Sequence, residues 1–176
     1  MHKIINSKSV FKGHVFEAKV ETVILPNGEQ ASREVIIHKG GVSIVALYNK
    51  SIVLVRQYRH AVGEYVLEIP AGIIEAGEDP INTAERELRE ETGFYSYNIT
   101  PLISMYKSMG YSTENHHIYL ATDLIQGEQD LDAEEDIEIV IIPIEKVIEM
   151  IFSGEIFDAK TIAGVLAYKE KFINIT

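Results

Sequence analysis

The stretch that most constrains this chain runs from Asp79 to Gly93. Asp79 is a good helix N-cap, Pro80 suits the first helical position, and Gly93 is a natural terminator. The spacing therefore predicts a helix over 80–92. At about 100° per residue, Ile81, Ala84 and Leu88 share one face and should pack inward. Glu87, Glu90 and Glu91 fall together on the adjoining face. Glu87–Glu91 and Glu87–Glu90 are like-charge neighbours, each costing about 0.2–0.5 kcal/mol, and the helix dipole also disfavours negative charge at this end. Arg86–Glu90 and Glu85–Arg89 offset part of that cost. The helix thus asks for a core on one side and positive charge beside it.

The rest of the chain supplies mostly strands. Phe16 to Leu25 alternates loosely and stops at the turn Pro26-Asn27-Gly28. Ser32 to His38 reads as the return strand, so residues 1–40 read as a hairpin arm before Gly40-Gly41. Val42 to Leu47 and Ile52 to Gln57 form a second hairpin, and Tyr65 to Ile69 is a short strand stopped by Pro70. Ile99 to Met105, His116 to Ala121 and Ile137 to Ile144 are further strands, with Pro143 marking an edge. Helices are expected over 145–152 and 158–172. The pattern is α+β, with helices packed on a sheet and residues 41–176 as the main domain.

Composition narrows the function. The net charge is −11 and cysteine is absent, so thiolate chemistry and disulfides are excluded. A duplex-binding surface needs clustered Lys and Arg, so nucleic acid is not an expected partner. No apolar run is long enough to span a bilayer and the first ten residues lack a signal-peptide core, so a cytoplasmic protein is expected.

A plain solvated face would interleave Lys among the glutamates. A hard divalent cation would instead reverse the sign of their repulsion, and Mg²⁺ characteristically bridges carboxylates to substrate phosphates. The flanking residues sharpen this reading. Gly72, five residues, Glu78, seven residues, Arg86-Glu87-Leu88, one residue, Glu90-Glu91, one residue, Gly93-Phe94 resembles the Nudix box at every defining position. Chance agreement is on the order of one in a billion per starting point. Arg56-Gln57-Tyr58-Arg59-His60, Glu68-Ile69-Pro70-Ala71-Gly72 and Ser32-Arg33-Glu34-Val35 resemble the ADP-ribose pyrophosphatase branch of that family.

The resemblance implies an α/β/α sandwich around a mixed sheet, with an N-terminal hairpin arm exchanged in a homodimer. It implies Mg²⁺-dependent hydrolysis, with Mn²⁺ as a substitute, of ADP-ribose or a related nucleoside diphosphate sugar. AMP and ribose 5-phosphate would be the products from ADP-ribose. GDP-mannose or another nucleotide sugar is the alternative substrate, and a non-catalytic nucleotide-sugar sensor the alternative class. By the same resemblance Glu87, Glu90, Glu91 and the Ala71 carbonyl would hold metal. Arg86, Glu78 and Gly72 would support the site, while Arg56, Arg59 and Glu114 would meet substrate. Glu135, then Glu134, would act as base. The branch usually carries Ser-Pro-Gly after the box. This chain reads Ser108-Met109-Gly110, which touches substrate choice rather than the chemistry.

Overall fold

The structure is a computed structural model that describes residues 2–131 and 136–173. The chain divides into two compact units, one of residues 1–40 with 105–116, the other of 41–104 with 117–176.

The first unit is built on a three-stranded antiparallel sheet. Its strands are β1 (Lys3–Lys12), β2 (Phe16–Ile24) and β3 (Gln30–His38), in that order. The Pro26-Asn27-Gly28 turn is closed by the Gly28 N–H donating to the Leu25 carbonyl at 2.9 Å. β1 was not foreseen by the two-stranded reading of this arm. It is exposed along its whole length, so no inward face imposes alternation on its sequence. Residues 111–113 lie along β3: the Ile36 N–H donates to the Tyr111 carbonyl at 2.7 Å, and the Thr113 N–H to the Ile36 carbonyl at 2.9 Å.

The second unit is built on a seven-stranded mixed sheet. Its central path runs β12 (Ile137–Pro143), β5 (Ser51–Arg59), β4 (Gly41–Tyr48), β10 (Asn115–Thr122), β9 (Asn98–Tyr106). Two shorter strands branch from it: β6 (Glu64–Glu68) pairs with β5, and β7 (Ala71–Ile73) pairs with β4. β12 is an edge strand, as Pro143 requires. The helices are α1 (Pro80–Thr92), α2 (Ile144–Ser153) and α3 (Ala159–Tyr168), the last continued by a π-helical turn over Lys169–Ile173. A small pair, β8 (Phe94–Tyr95) and β11 (Ile125–Gln126), follows α1 and β10.

β4 is buried over its first six residues because both of its faces are covered. Val42, Ile44 and Ala46 meet Ala84 and Leu88 of α1, with Ile81 partly buried at the margin. Val45 faces the other way. There Gly164 of α3 comes so close that an added Cβ would lie 3.0 Å from Val45 and 3.2 Å from Ile118. Helices therefore cover both sides of the sheet. The inward face of α1 is the one its spacing predicts. The inward stripe of α3 runs Lys160, Thr161, Gly164, Val165, while Ile162 and Leu166 are only half-buried.

Candidate active site

The site begins where β7 hands the chain to α1. Asp79 caps the helix through its carboxylate, which accepts from the Ile81 N–H at 3.2 Å. Gly93 ends it in the left-handed conformation at φ 68°, with its N–H on the Arg89 carbonyl at 2.8 Å. The ends marked in the sequence are therefore the real ends, and they set the phase of the glutamates.

Arg86 organises the acidic face. Its Nη1 donates to Glu87 at 2.7 Å and to Glu90 at 2.9 Å. Nε and Nη2 reach the two oxygens of Glu78, each at 3.2 Å. One guanidinium thus gathers three carboxylates, using the donor fork that distinguishes Arg from Lys. These hydrogen bonds are the main reason the Glu78 carboxyl is held down to about 2, with burial pulling the other way. They likewise raise the Arg86 guanidinium well above its ordinary value. Glu78 also accepts from the Glu75 N–H at 3.3 Å, which folds the loop onto the helix start.

Glu91 is buried, 4% exposed, and its carboxylate accepts from the Ala71 N–H at 2.8 Å. Gly72 lies against Glu87: a Cβ built there would fall 1.8 Å from Oε1 and 1.9 Å from Cδ. This glycine is required by close approach, not by an unusual backbone angle. β7 and α1 are therefore joined by two carboxylate contacts, one made by an N–H and one permitted by a missing side chain.

The far end of α1 is tied to the acidic segment that follows β11. The Gly127 N–H donates to the Gly93 carbonyl at 2.8 Å, and the Asp130 N–H to the Glu90 carbonyl at 3.1 Å. The Gln129 side chain donates to the Glu91 carbonyl at 2.7 Å. Arg89 pairs with Asp130 at 3.6 Å rather than with Glu85. A surface cavity of about 770 Å³ lies on this outer side, lined by Arg86, Arg89, Glu90, Tyr95 and Tyr97 among others. Glu134 and Glu135, the expected base residues, lie outside the described residues.

Arg59 stands at the end of β5. Nε and Nη2 form a bidentate pair with Glu68 at 2.6 and 2.9 Å. Arg56 pairs with Glu138 at 3.2 Å and sits 4.4 Å from the Tyr65 ring centroid, while Tyr65 packs edge-on against Tyr58. Glu114 belongs to the first unit, where it pairs with Lys107 at 2.8 Å. The structure also contains a group the sequence reading missed. Lys160, buried in α3, donates to Glu68 and pairs with Asp158 at 3.0 Å. The partners are 92 residues apart, and no spacing rule links them.

Among the described residues, no three acidic or imidazole groups converge closely enough to enclose a metal ion. Glu87, Glu90 and Glu91 nevertheless present hard carboxylate oxygens from one helix, of the kind Mg²⁺ and Mn²⁺ prefer, and Gly72 leaves the Glu87 carboxylate unobstructed by a side chain. Their chemistry fits a divalent cation.

Fold and site together define a class: a loop–helix–loop carboxylate centre on a mixed sheet covered by helices on both faces. Comparison with known proteins makes the class specific. The NUDIX domain model matches residues 37–165. The chain is 37% identical to ADP-ribose pyrophosphatase of Bacillus subtilis (strain 168), covering 90% of this chain and 88% of that protein. It is 38% identical to the methanol dehydrogenase activator of Bacillus methanolicus, covering 93% and 90%. A crystal structure of an ADP compounds hydrolase superposes with a TM-score of 0.85 at 23% identity, covering 96% of this chain and 92% of that one. The chain belongs to the Nudix family and is a Nudix hydrolase.

Proposed function

We propose that this protein hydrolyses the pyrophosphate of ADP-ribose, or of a closely related nucleoside diphosphate sugar, with Mg²⁺. The observation that carries the reading is the joined set of Arg86, Gly72 and Ala71 around Glu87, Glu90 and Glu91. Its likeness to an ADP-ribose pyrophosphatase over nine-tenths of the chain supports the substrate class.

Glu87, Glu90, Glu91 and the Ala71 carbonyl are the residues that would hold the cation. Once bound, it supplies charge neutralisation of the pyrophosphate and makes water easier to deprotonate. The protein's own parts do the rest. Arg86 gathers and orients Glu87 and Glu90, so little reorganisation is needed during reaction. Arg59 and Arg56 offer cationic donors to the phosphates. Glu135 or Glu134 accepts the proton from water as general base. The water oxygen bonds to one phosphorus as the bridging P–O bond breaks, and ADP-ribose yields AMP and ribose 5-phosphate. Met109, 79% exposed where the branch usually has proline, keeps GDP-mannose as the second substrate to test.

The exposed apolar side chains of β1, Ile4, Val10 and Phe11, support pairing of the arm with a second copy of this chain. Incubation with Mg²⁺ and a panel of nucleoside diphosphate sugars tests the function. ADP-ribose should be cleaved fastest, to AMP and ribose 5-phosphate. Faster cleavage of GDP-mannose, or cleavage of none, overturns the proposal.

A further inference from the structure

The buried cluster of Glu68, Lys160 and Asp158 takes no part in the chemistry proposed above. Glu68 is 2% exposed and Lys160 5% exposed. Isolated buried charges are expensive, so such a set persists only where every member is paired. Here each is. Glu68 takes both arms of the Arg59 fork and the ammonium of Lys160. Lys160 also pairs with Asp158, which caps α3 by accepting from the Thr161 N–H at 2.9 Å. Thr161 Oγ1 donates to Asp158 at 2.6 Å and accepts from the Ile69 N–H at 2.9 Å. The first turn of α3 therefore holds Glu68 and Ile69 by side chain and main chain.

What this holding orients is Arg59. The bidentate pair occupies Nε and Nη2 and fixes the guanidinium plane. Nη1, which has no partner among the described residues, is left at a rim where the side chain is 41% exposed. Burial alone would raise the Glu68 carboxyl, yet Arg59 and Lys160 outweigh it and keep the group below its ordinary value, hence charged. Glu68 stands three residues before Ala71, whose N–H is held by the Glu91 carboxylate, so Arg59 is tied to the same short stretch of chain that meets the carboxylate face of α1.

We propose that Glu68, anchored by Lys160 and the first turn of α3, is a positioning residue that aims Arg59 at the substrate pyrophosphate. The inference rests on the function proposed above. Lys160 replaces a rotating carboxylate with one fixed by a buried cation, and Arg59 inherits that order. Pre-ordering of this kind lowers the cost of binding a phosphate without touching the reacting atoms.

The test is a double-mutant cycle read with ADP-ribose, by kcat and KM under saturating Mg²⁺ and by metal-free calorimetric titration. Glu68→Gln should raise KM about tenfold and weaken metal-free binding by a similar factor, with kcat changed less than about threefold. In an Arg59→Ala background the same substitution should change KM less than about twofold, because its effect passes through Arg59. Equal effects in both backgrounds would show a merely structural role and overturn the inference. Should Glu68→Gln fail to fold, Arg59→Lys decides. It keeps the charge but loses the fork, so KM should rise nearly as far as in Arg59→Ala, and an unchanged KM overturns the inference. Failure of the unaltered protein to cleave ADP-ribose refutes the functional reading and this inference with it, whereas cleavage combined with an additive cycle refutes this inference alone.

Discussion

Gly72→Ala is the most informative single change in this molecule. The added Cβ would sit 1.8 Å from Glu87 Oε1, and real Cβ contacts essentially never fall below 3.0 Å. Either β7 or the carboxylate must withdraw by more than about 1 Å, and the side chain gives way more easily than a paired strand. Withdrawal stretches the 2.7 Å bond from Arg86 Nη1 beyond hydrogen-bonding range. Overpacking costs about 1–3 kcal/mol, and loss of a charge-assisted bond costs about 1.5–3 kcal/mol if nothing replaces it. The Glu87 side chain is only 13% exposed, so water replaces the bond poorly and a total of about 2–4 kcal/mol is expected. For a chain of this length that lowers Tm by about 4–16 °C. Turnover should suffer more, because a displacement of about 1 Å in a reacting constellation can cost about a hundredfold. Scanning calorimetry and kcat with ADP-ribose across a Mg²⁺ titration measure both effects. Gly72→Ala combined with Glu87→Ala removes the clash, so it should recover most of the lost Tm without recovering activity. A folded Gly72→Ala protein with kcat within threefold of the unaltered chain would refute the reasoning.

Other expectations follow from the same geometry. Glu91→Gln keeps an oxygen for the Ala71 N–H but loses the charge, so turnover should fall by several orders of magnitude while Tm stays within a few degrees. Near-normal kcat in that variant would remove Glu91 from the proposed cation site. The folded Glu78 carboxyl lies at about 2 against an ordinary 4.5. A depressed carboxyl stabilises the fold above its unfolded value and loses that contribution as pH falls from 4.5 toward 2. Urea midpoints at pH 7, 4 and 3 should therefore decline less steeply in Glu78→Gln, and parallel declines would contradict the Arg86–Glu78 pairing. Gly93→Ala meets the backbone of residues 128 and 129 at 2.9 Å and forces a side chain onto φ 68°, so it should cost at least about 1–2 kcal/mol in urea unfolding. Light scattering of the purified chain tests the arm: a dimer is expected, and removal of residues 1–12 should yield a monomer if β1 carries the contact.

The helix that organises the site was legible because its ends and its phase are local. Asp79, Pro80 and Gly93 fix the boundaries, and the wheel places Ala84 and Leu88 inward. The reason for Gly72 was not legible as physics, since only the fold brings Glu87 onto its Cα. β1 escaped because an element exposed on both faces carries no hydrophobic period. α3 misled in the opposite way. Its buried stripe includes a lysine that sequence reading assigns to solvent, and the compensating charges of Glu68 and Asp158 come from across the sheet and from the helix cap. Local chemistry was readable, and tertiary charge compensation was not.

The bonds between the end of α1 and residues 127–130 make two distant parts of the chain a single piece of hardware. Carbonyls of the very residues whose side chains are proposed to bind the cation hold the Asp130 amide and the Gln129 side chain. The segment is consequently not an interchangeable module. Grafting the corresponding loop from another family member would retune substrate only if the graft carried a donor at position 129 and left glycine at 93. Without them the transplanted loop would loosen the helix it was meant to serve, and specificity and catalytic competence would be lost together.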